Sequence, residues 1–272
     1  MLAIKNNIMA DNAARHLGRS YDALAQSVER LSSGLRINSA KDDAAGLAVR
    51  ELMRAEVAVL RQGARNAQDG VSLLQTMEGA MASIDNLLVR MKELAEQAAT
   101  GSYSSKQRDI MNNEFQQMAA EVDRIATTTT FNSINMLNSA TGTNTIHFGV
   151  GSQIIISSVD VTTSALGLGS AAINGADGSN AIAALNLVTS AIEAKDSARA
   201  SFGYMMNRLL STTDVLNIQA ENLMASESRI SDVDVATEMA KLTRNQVLAQ
   251  AGIAMLGQAN SMPQMALNLL RV

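Results

Sequence analysis

The chain has 272 residues, 47% of them apolar and only 3% aromatic, with no Trp, no Cys and a formal net charge of −4. The absence of cysteine excludes disulfides and thiolate metal sites, and the absence of a basic excess argues against a nucleic-acid binder. Ala, Leu and Met supply most of the apolar mass, which favours narrow helix-to-helix seams, and a single proline, Pro263, leaves helices almost uninterrupted.

The first residues, MLAIKNNIMADNAARHLGRSY, are polar every few positions, unlike the apolar core of a cleaved signal peptide. No window approaches the run of about 18 apolar residues that would mark a membrane span. Ser39 stands three residues before Asp42 in an S/T-x-x-D/E pattern, with Asp43 beside it. A serine cap and two carboxylates opposing the positive end of a helix dipole predict a helix from about Ala40. As a catalytic pair these aspartates are poorly placed, because neighbours on a helix point about 100° apart.

From Leu74 the chain gives Met77, Met81, Ile84, Leu88, Met91, Ala95 and Ala98 at spacings of three and four, ending at Gly101. That stripe predicts one helix of about 60 residues running back to Ala40. Ser104 and Gln107 form a second capping box. Met111, Phe115, Met118, Val122 and Ile125 then carry a shorter helix that folds back on the first.

Between residues 127 and 180 the composition turns to Thr, Asn, Ser and Gly. Residues 145–148 and 153–161 are β-prone and are broken by Gly149 and Gly151, which reads as hairpins with little core of their own, an exposed elaboration of the helices. Hydroxyls at residues 127–130 and at Ser139, Thr141, Ser157 and Ser158 are candidates for covalent modification.

Helical rhythm returns at Leu185, Val188 and Ile192 and resumes at Phe202, Met206, Leu209, Thr213, Leu216, Ala220 and Leu223. Lys195 and Arg199 interrupt it, so the seam there is either at an edge or paired with Glu193 and Asp196. Ser231 with Asp234 restarts a last helix carrying Val235, Met239, Leu242, Ala249, Ile253 and Leu256. The expected architecture is mainly α: a long antiparallel helical rod or coiled-coil bundle with a small β-hairpin region, its N- and C-terminal helices paired. His16 and His147 have no ligand-spaced neighbours, and no phosphate-loop, dinucleotide or nucleophile-elbow motif occurs, so neither a metal, a cofactor nor enzymatic activity is expected.

Two long segments carry a family resemblance. LSSGLRINSAKDDAAG at residues 31–46, followed by ARNAQDGVSLLQTMEGAM at 64–81, resembles the N-terminal signature of the bacterial flagellins. SRISDVDVATEMAKLTRNQVLAQAGIAMLGQAN at 228–260 resembles the signature at their other end, and Leu269-Leu270-Arg271 their usual terminus, here followed by Val272. The unmatched middle is too short for the independent outer domains the family often carries there.

The resemblance implies a structural subunit that polymerises into the flagellar filament, the motility propeller. It also implies a layout: an inner-tube helix at residues 1–38, an outer-tube rod domain at 39–180 and 181–229 that includes a β-rich segment at 131–180, and a second inner-tube helix at 230–272. The terminal stripes would find their burial only against copies of the same chain. A hook–filament junction protein, or a secreted rod acting as a non-polymerising effector or adhesin, are the alternatives.

Partners implied by the resemblance are the chain itself in a helical homopolymer, the flagellin export chaperone, the filament cap and the hook–filament junction proteins. Neither nucleic acid nor membrane insertion is expected. The location is extracellular, in the flagellum, by way of the flagellar type III route without a cleaved signal peptide. Arg90, Leu94 and Glu114 resemble positions by which a vertebrate Toll-like receptor senses flagellins; Arg90 and Leu94, four apart, would share a helix face. Met239, Leu242, Ile253 and Leu256 are the candidate anchors for the chaperone and for filament packing.

Overall fold

The computed structural model describes residues 6–149 and 151–269. It is mainly α, as expected: α1 (Ile8–Ser33), α2 (Ala44–Ala99), α3 (Ser105–Thr128), β1 (Thr143–Gly149), β2 (Ser152–Ser157), α4 (Ser179–Ser231) and α5 (Val235–Leu269). Leu270, Arg271 and Val272 of the expected terminal motif lie outside the described residues. The chain divides into two compact units, Met1–Val57 with Glu221–Val272, and Ala58–Ala220.

In the first unit, α1 begins where Asn7 caps the Ala10 amide through its side chain (3.1 Å), and it ends at Gly34, whose φ of 72° is open to glycine at no steric cost. α1 pairs with α5, and the strand-like link beside them closes on backbone bonds: the Arg36 N–H donates to the Ser231 carbonyl (2.6 Å) and the Val233 N–H to the Gly34 carbonyl (3.0 Å).

Two predicted helix starts move. α2 starts at Ala44 rather than Ala40, because Asp42 folds its carboxylate back onto the Asn38 and Ser39 amides and makes a turn of residues 39–42. Asp43 is the cap, accepting from the Gly46 N–H at 2.9 Å. α5 starts after Asp234, which accepts from the Ala236 amide (3.1 Å) and the Thr237 hydroxyl (2.5 Å); Ser231 instead closes α4 and is buried.

In the second unit the predicted stripe is the core: Leu74, Met77, Met81, Ile84, Leu88, Met91, Ala95 and Ala98 are all buried. α3 turns back as expected, with Gln107 accepting from the Ser104 N–H at 2.9 Å. Arg108 is buried and ties the turn shut: its Nε donates to the Ala98 carbonyl (2.9 Å), and its Nη1 to those of Ala176 (2.9 Å) and Gly175 (3.2 Å).

The middle segment departs from expectation. Among the described residues it holds one hairpin, β1 against β2, antiparallel with a bulge at His147 and Gly149, rather than several. It is also not a loose elaboration, since Met136, Leu137, Phe148, Ile156, Val161 and Ile173 are buried. Polar side chains of α3 hold this irregular chain in place. Asp123 accepts from the Thr163 amide and hydroxyl (both 2.7 Å), Asn112 from the Ile173 amide (2.9 Å), and Gln116 donates to the Ala171 carbonyl (2.8 Å). A periodicity argument cannot see such capture, because loop residues have no period.

Candidate functional site

The α1–α5 pair mixes small, apolar and polar residues at its seam. Up to Ala259, the buried and half-buried positions of α5 are Glu238, Leu242, Asn245, Ala249, Gly252, Leu256 and Ala259, at helical three- and four-residue spacing. They run antiparallel to α1: the Ser27 hydroxyl donates to Glu238 (2.7 Å), Gly252 lies against Leu17, and the Asn7 amide donates to the Ala259 carbonyl (2.8 Å).

Glu238 is buried in this pair. Burial by itself raises the pKa of its carboxyl, but hydrogen bonds from Ser27 and Lys241, with the charges of Lys241 and Arg30, outweigh that and leave it below the ordinary glutamate value. Sequence reading had no signal for this residue, whose partner Ser27 is 211 positions away.

The predicted anchor set divides between two faces. Leu242 and Leu256 are half-buried toward α1, whereas Met239 is 46% and Ile253 52% exposed on the outer side. Val235, Val247, Met255 and Met265 are exposed as well, and Leu248 is half exposed at the edge of the cleft beside α1. The apolar residues of α5 thus surround the helix instead of forming one stripe. α1 adds exposed Ile8, Met9, Tyr21 and Val28, set among charged and polar neighbours. The exposed apolar side chains of α5 stand among polar ones such as Lys241, Arg244 and Gln250.

The second predicted cluster, on the other unit, does not come together as a surface. Arg90 is about half exposed and bridges Glu114 on α3 (3.0 Å) and Glu93 on its own helix (3.0 Å). Leu94, expected beside Arg90 on the same face, is only 2% exposed: it points into the core with Met91 and Ala95, so it is not available to a partner. The four-residue spacing was right, but that spacing straddles the boundary between the exposed and buried faces of α2.

Lys195 and Arg199 are paired rather than at an edge. Lys195 is 1% exposed and bridges Asp196 (2.7 Å) and Asp85 of α2, and Arg199 bridges Glu78 of α2 (3.2 Å). Asp196 was an expected partner; Asp85 and Glu78 were not foreseen, and Glu193 takes no part in these pairs.

His16 lines a cleft of about 360 Å³ between α1 and α5, and His147 lies exposed on β1. Among the described residues no helix is long and apolar enough to cross a membrane, and no group of three His, Asp or Glu side chains is gathered as a metal site would need.

Comparison with known proteins matches both ends of the chain. Residues 4–142 fit the bacterial flagellin N-terminal helical region, and residues 185–270 the bacterial flagellin C-terminal helical region. Over 272 aligned residues the chain is 42% identical to a flagellin of Halalkalibacterium halodurans, covering 99% of this chain and 100% of that one. It is 40% identical to a flagellar filament 33 kDa core protein of Treponema phagedenis and 38% identical to a flagellin of Bacillus subtilis, each with 99% of this chain and 100% of the other covered.

Among solved structures, Bacillus cereus flagellin is similar at a TM-score of 0.50 and 32% identity, covering 60% of this chain and 94% of that one. A flagellar hook-associated protein of Vibrio parahaemolyticus aligns at a TM-score of 0.59 and 12% identity, over 70% of this chain and all of that one, a likeness of fold alone.

Proposed function

The chain belongs to the bacterial flagellin family, and we propose that its copies polymerise through their terminal helices into the filament of the bacterial flagellum, outside the cell. The role is structural. The observation that carries the reading is the α5 helix, which pairs with α1 along one side yet exposes Val247, Ile253 and Met255 around the rest. In water such a helix is incomplete. Its remaining apolar area, at about 25 cal/mol per Å², is the driving force a neighbouring copy would supply with. Each copy would repeat one heterologous contact, and a rotation that does not close gives an open helix of subunits.

In this reading residues 1–38 and 230–272 form the inner tube and 39–229 the outer one. The alternatives, a hook–filament junction protein or a non-polymerising rod, are not favoured, since full-length identity at about this level runs to filament flagellins. Before export through the flagellum's own channel, Met239, Leu242, Ile253 and Leu256 would anchor an export chaperone that covers the apolar face of the C-terminal segment, and Met239 and Ile253 are the two already exposed. Cap and junction proteins would meet the same helices at the filament ends. For the receptor of the innate immune system, Arg90 and Glu114 remain as exposed contacts, without Leu94.

Seeded polymerisation of the full chain, followed by light scattering and by pelleting, tests the assembly. Met239→Asp and Ile253→Asp, placed on the outer side of α5, leave the α1 pairing intact and are expected to abolish growth from seeds. Growth at the parent rate in both variants would refute terminal-helix assembly. Receptor activation by an Arg90→Asp chain at unchanged potency would remove Arg90 from the second contact.

A further inference from the structure

Shaped side chains such as Phe202 of α4 and Ile84 of α2 are buried in the second unit, but many of the buried positions between them specify an alignment weakly. On α4 the buried positions Ala184, Ala191 and Ala198 are small, and on α2 Met77, Met81 and Met91 are long and flexible. Alanine offers few knobs for interlocking, and methionine adapts to whatever it meets. Two helices meeting through such residues can pack nearly as well after sliding along one another, whereas a polar side chain at a seam position distinguishes one alignment from the rest.

One seam position of α4 is charged. Lys195 continues the buried rhythm of Val188, Ala191, Ala198 and Phe202, and is itself 1% exposed. Its ammonium is held by Asp85 of α2 and by Asp196, and four residues further on Arg199 is held by Glu78, seven residues before Asp85. Leu209 against Gly70 continues the same antiparallel order. The carboxylates keep contact with water, Asp85 at 34% and Asp196 at 59% side-chain exposure, so the lysine alone bears the burial.

We propose that Lys195, with Asp85 and the Arg199–Glu78 pair beside it, is a register-setting device: it selects a single alignment of α4 on α2 and adds little to the stability of the pair. A slip of one heptad one way carries Lys195 to Glu78 but leaves Arg199 opposite Val71, and the other way it brings Arg199 to Asp85 but sets Lys195 against Lys92; Asp196 travels with Lys195, yet only the observed alignment gives both cations an acid of α2. The correct alignment is therefore selected by the cost of every other one. A helical polymer needs this, because each copy must present the same surfaces to its neighbours. The proposal concerns one chain by itself, so it stands or falls independently of polymerisation.

The chain has no cysteine, which allows a clean test. Cysteines introduced at Gly79, which has open space around it on α2, and at exposed Ile182 on α4 are spin-labelled in the full chain, and the distance between labels is measured in unpolymerised protein by pulsed electron resonance. A slip of one heptad changes the axial separation by about 10 Å. The labelled parent is expected to give one narrow distance. Lys195→Met, which removes the buried charge and leaves only solvated carboxylates, is expected to keep its helix content and melting temperature while the distribution broadens or splits.

A second variant, Lys195→Glu with Asp85→Lys and with Asp196→Asn to remove the acid that would otherwise face the new carboxylate, restores a cross-seam pair with the charges exchanged and is expected to recover the single narrow distance that Lys195→Glu with Asp196→Asn loses. A Lys195→Met chain with the parent's narrow distance overturns the proposal. So does one that fails to fold, since the lysine would then be a stabilising element, and so does an exchanged pair that stays broad.

Discussion

Adding one methyl group to α2 should have opposite effects at two glycines. At Gly63 the new Cβ would lie 2.7 Å from the Phe148 carbonyl oxygen and 2.9 Å from the Phe148 Cα, both backbone atoms of β1. Ordinary contact begins at 3.4 Å, so the strand would have to retreat by about 0.5–0.7 Å. It is not free to do so, because the Phe148 side chain is buried and the Asn66 amide donates to the His147 carbonyl at 2.9 Å. Overpacking of this kind costs about 1–3 kcal/mol, against about 0.5–1 kcal/mol gained by replacing a helical glycine with alanine. Gly63→Ala should therefore destabilise the protein by about 1–2 kcal/mol. Gly79, on the same helix, has no heavy atom within 4 Å of the equivalent point, so Gly79→Ala should stabilise it by about 0.5–1 kcal/mol. Urea unfolding followed by circular dichroism measures both against the parent. If Gly63→Ala is as stable as Gly79→Ala, the close seating of β1 on α2 is wrong.

Three further changes report on other joints. Arg108→Leu leaves the Ala98, Gly175 and Ala176 carbonyls without their charged donor and should cost about 3–5 kcal/mol, read as a lowered urea midpoint; Arg108→Lys should recover less than half, since an ammonium lacks the fork that spans the helix end and the loop. The Glu238 carboxyl titrates below its ordinary value, so its contribution to the α1–α5 pair is complete above that value and is lost as the pH falls through the lower native one. Amide exchange of α5 should accordingly speed up on acidification, and Glu238→Gln should flatten that dependence; an unchanged acid response in the variant would place the effect elsewhere. Asn132 and Ser133 both hold positive φ, 49° and 65°, in a tight turn closed by reciprocal Phe131 and Ile134 bonds. Ser133→Gly should raise stability by about 0.5–1 kcal/mol in thermal unfolding, and Ser133→Val should lower it.

The parts legible in the sequence are those whose cause is local. The stripe from Leu74 to Ala98 gave the buried face of α2, the Ser104 and Gln107 pair gave the start of α3, and the glycines at 149 and 151 gave the hairpin turn. The α2 start was misplaced by four residues because Asp42 and Asp43 are both competent caps, and the choice turned on which amides Asp42 could reach behind it. Leu94 and the burial of Lys195 depended on which side of a seam a residue fell, and the acid that holds Lys195 from α2 stands 110 positions away. The loop from Val161 to Ile173 is buried by single polar side chains of α3, which leave no periodic trace.

The buried face of α5 was not legible for a different reason, and that reason bears on function. Spacings of three and four could be drawn through Met239 and Ile253 as readily as through Leu242 and Leu256, because apolar residues occur on every side. A stripe locates the buried face of a helix only when the other face is polar; α1 meets that condition and α5 does not. A helix that exposes apolar residues on several sides gains by being enclosed, and α1 covers only one flank of it. The failure of the amphipathic pattern at α5 is therefore itself information. It marks a segment whose surroundings are not all supplied by its own chain, whereas the stripe of α2 from Leu74 to Ala98 is buried within its own unit.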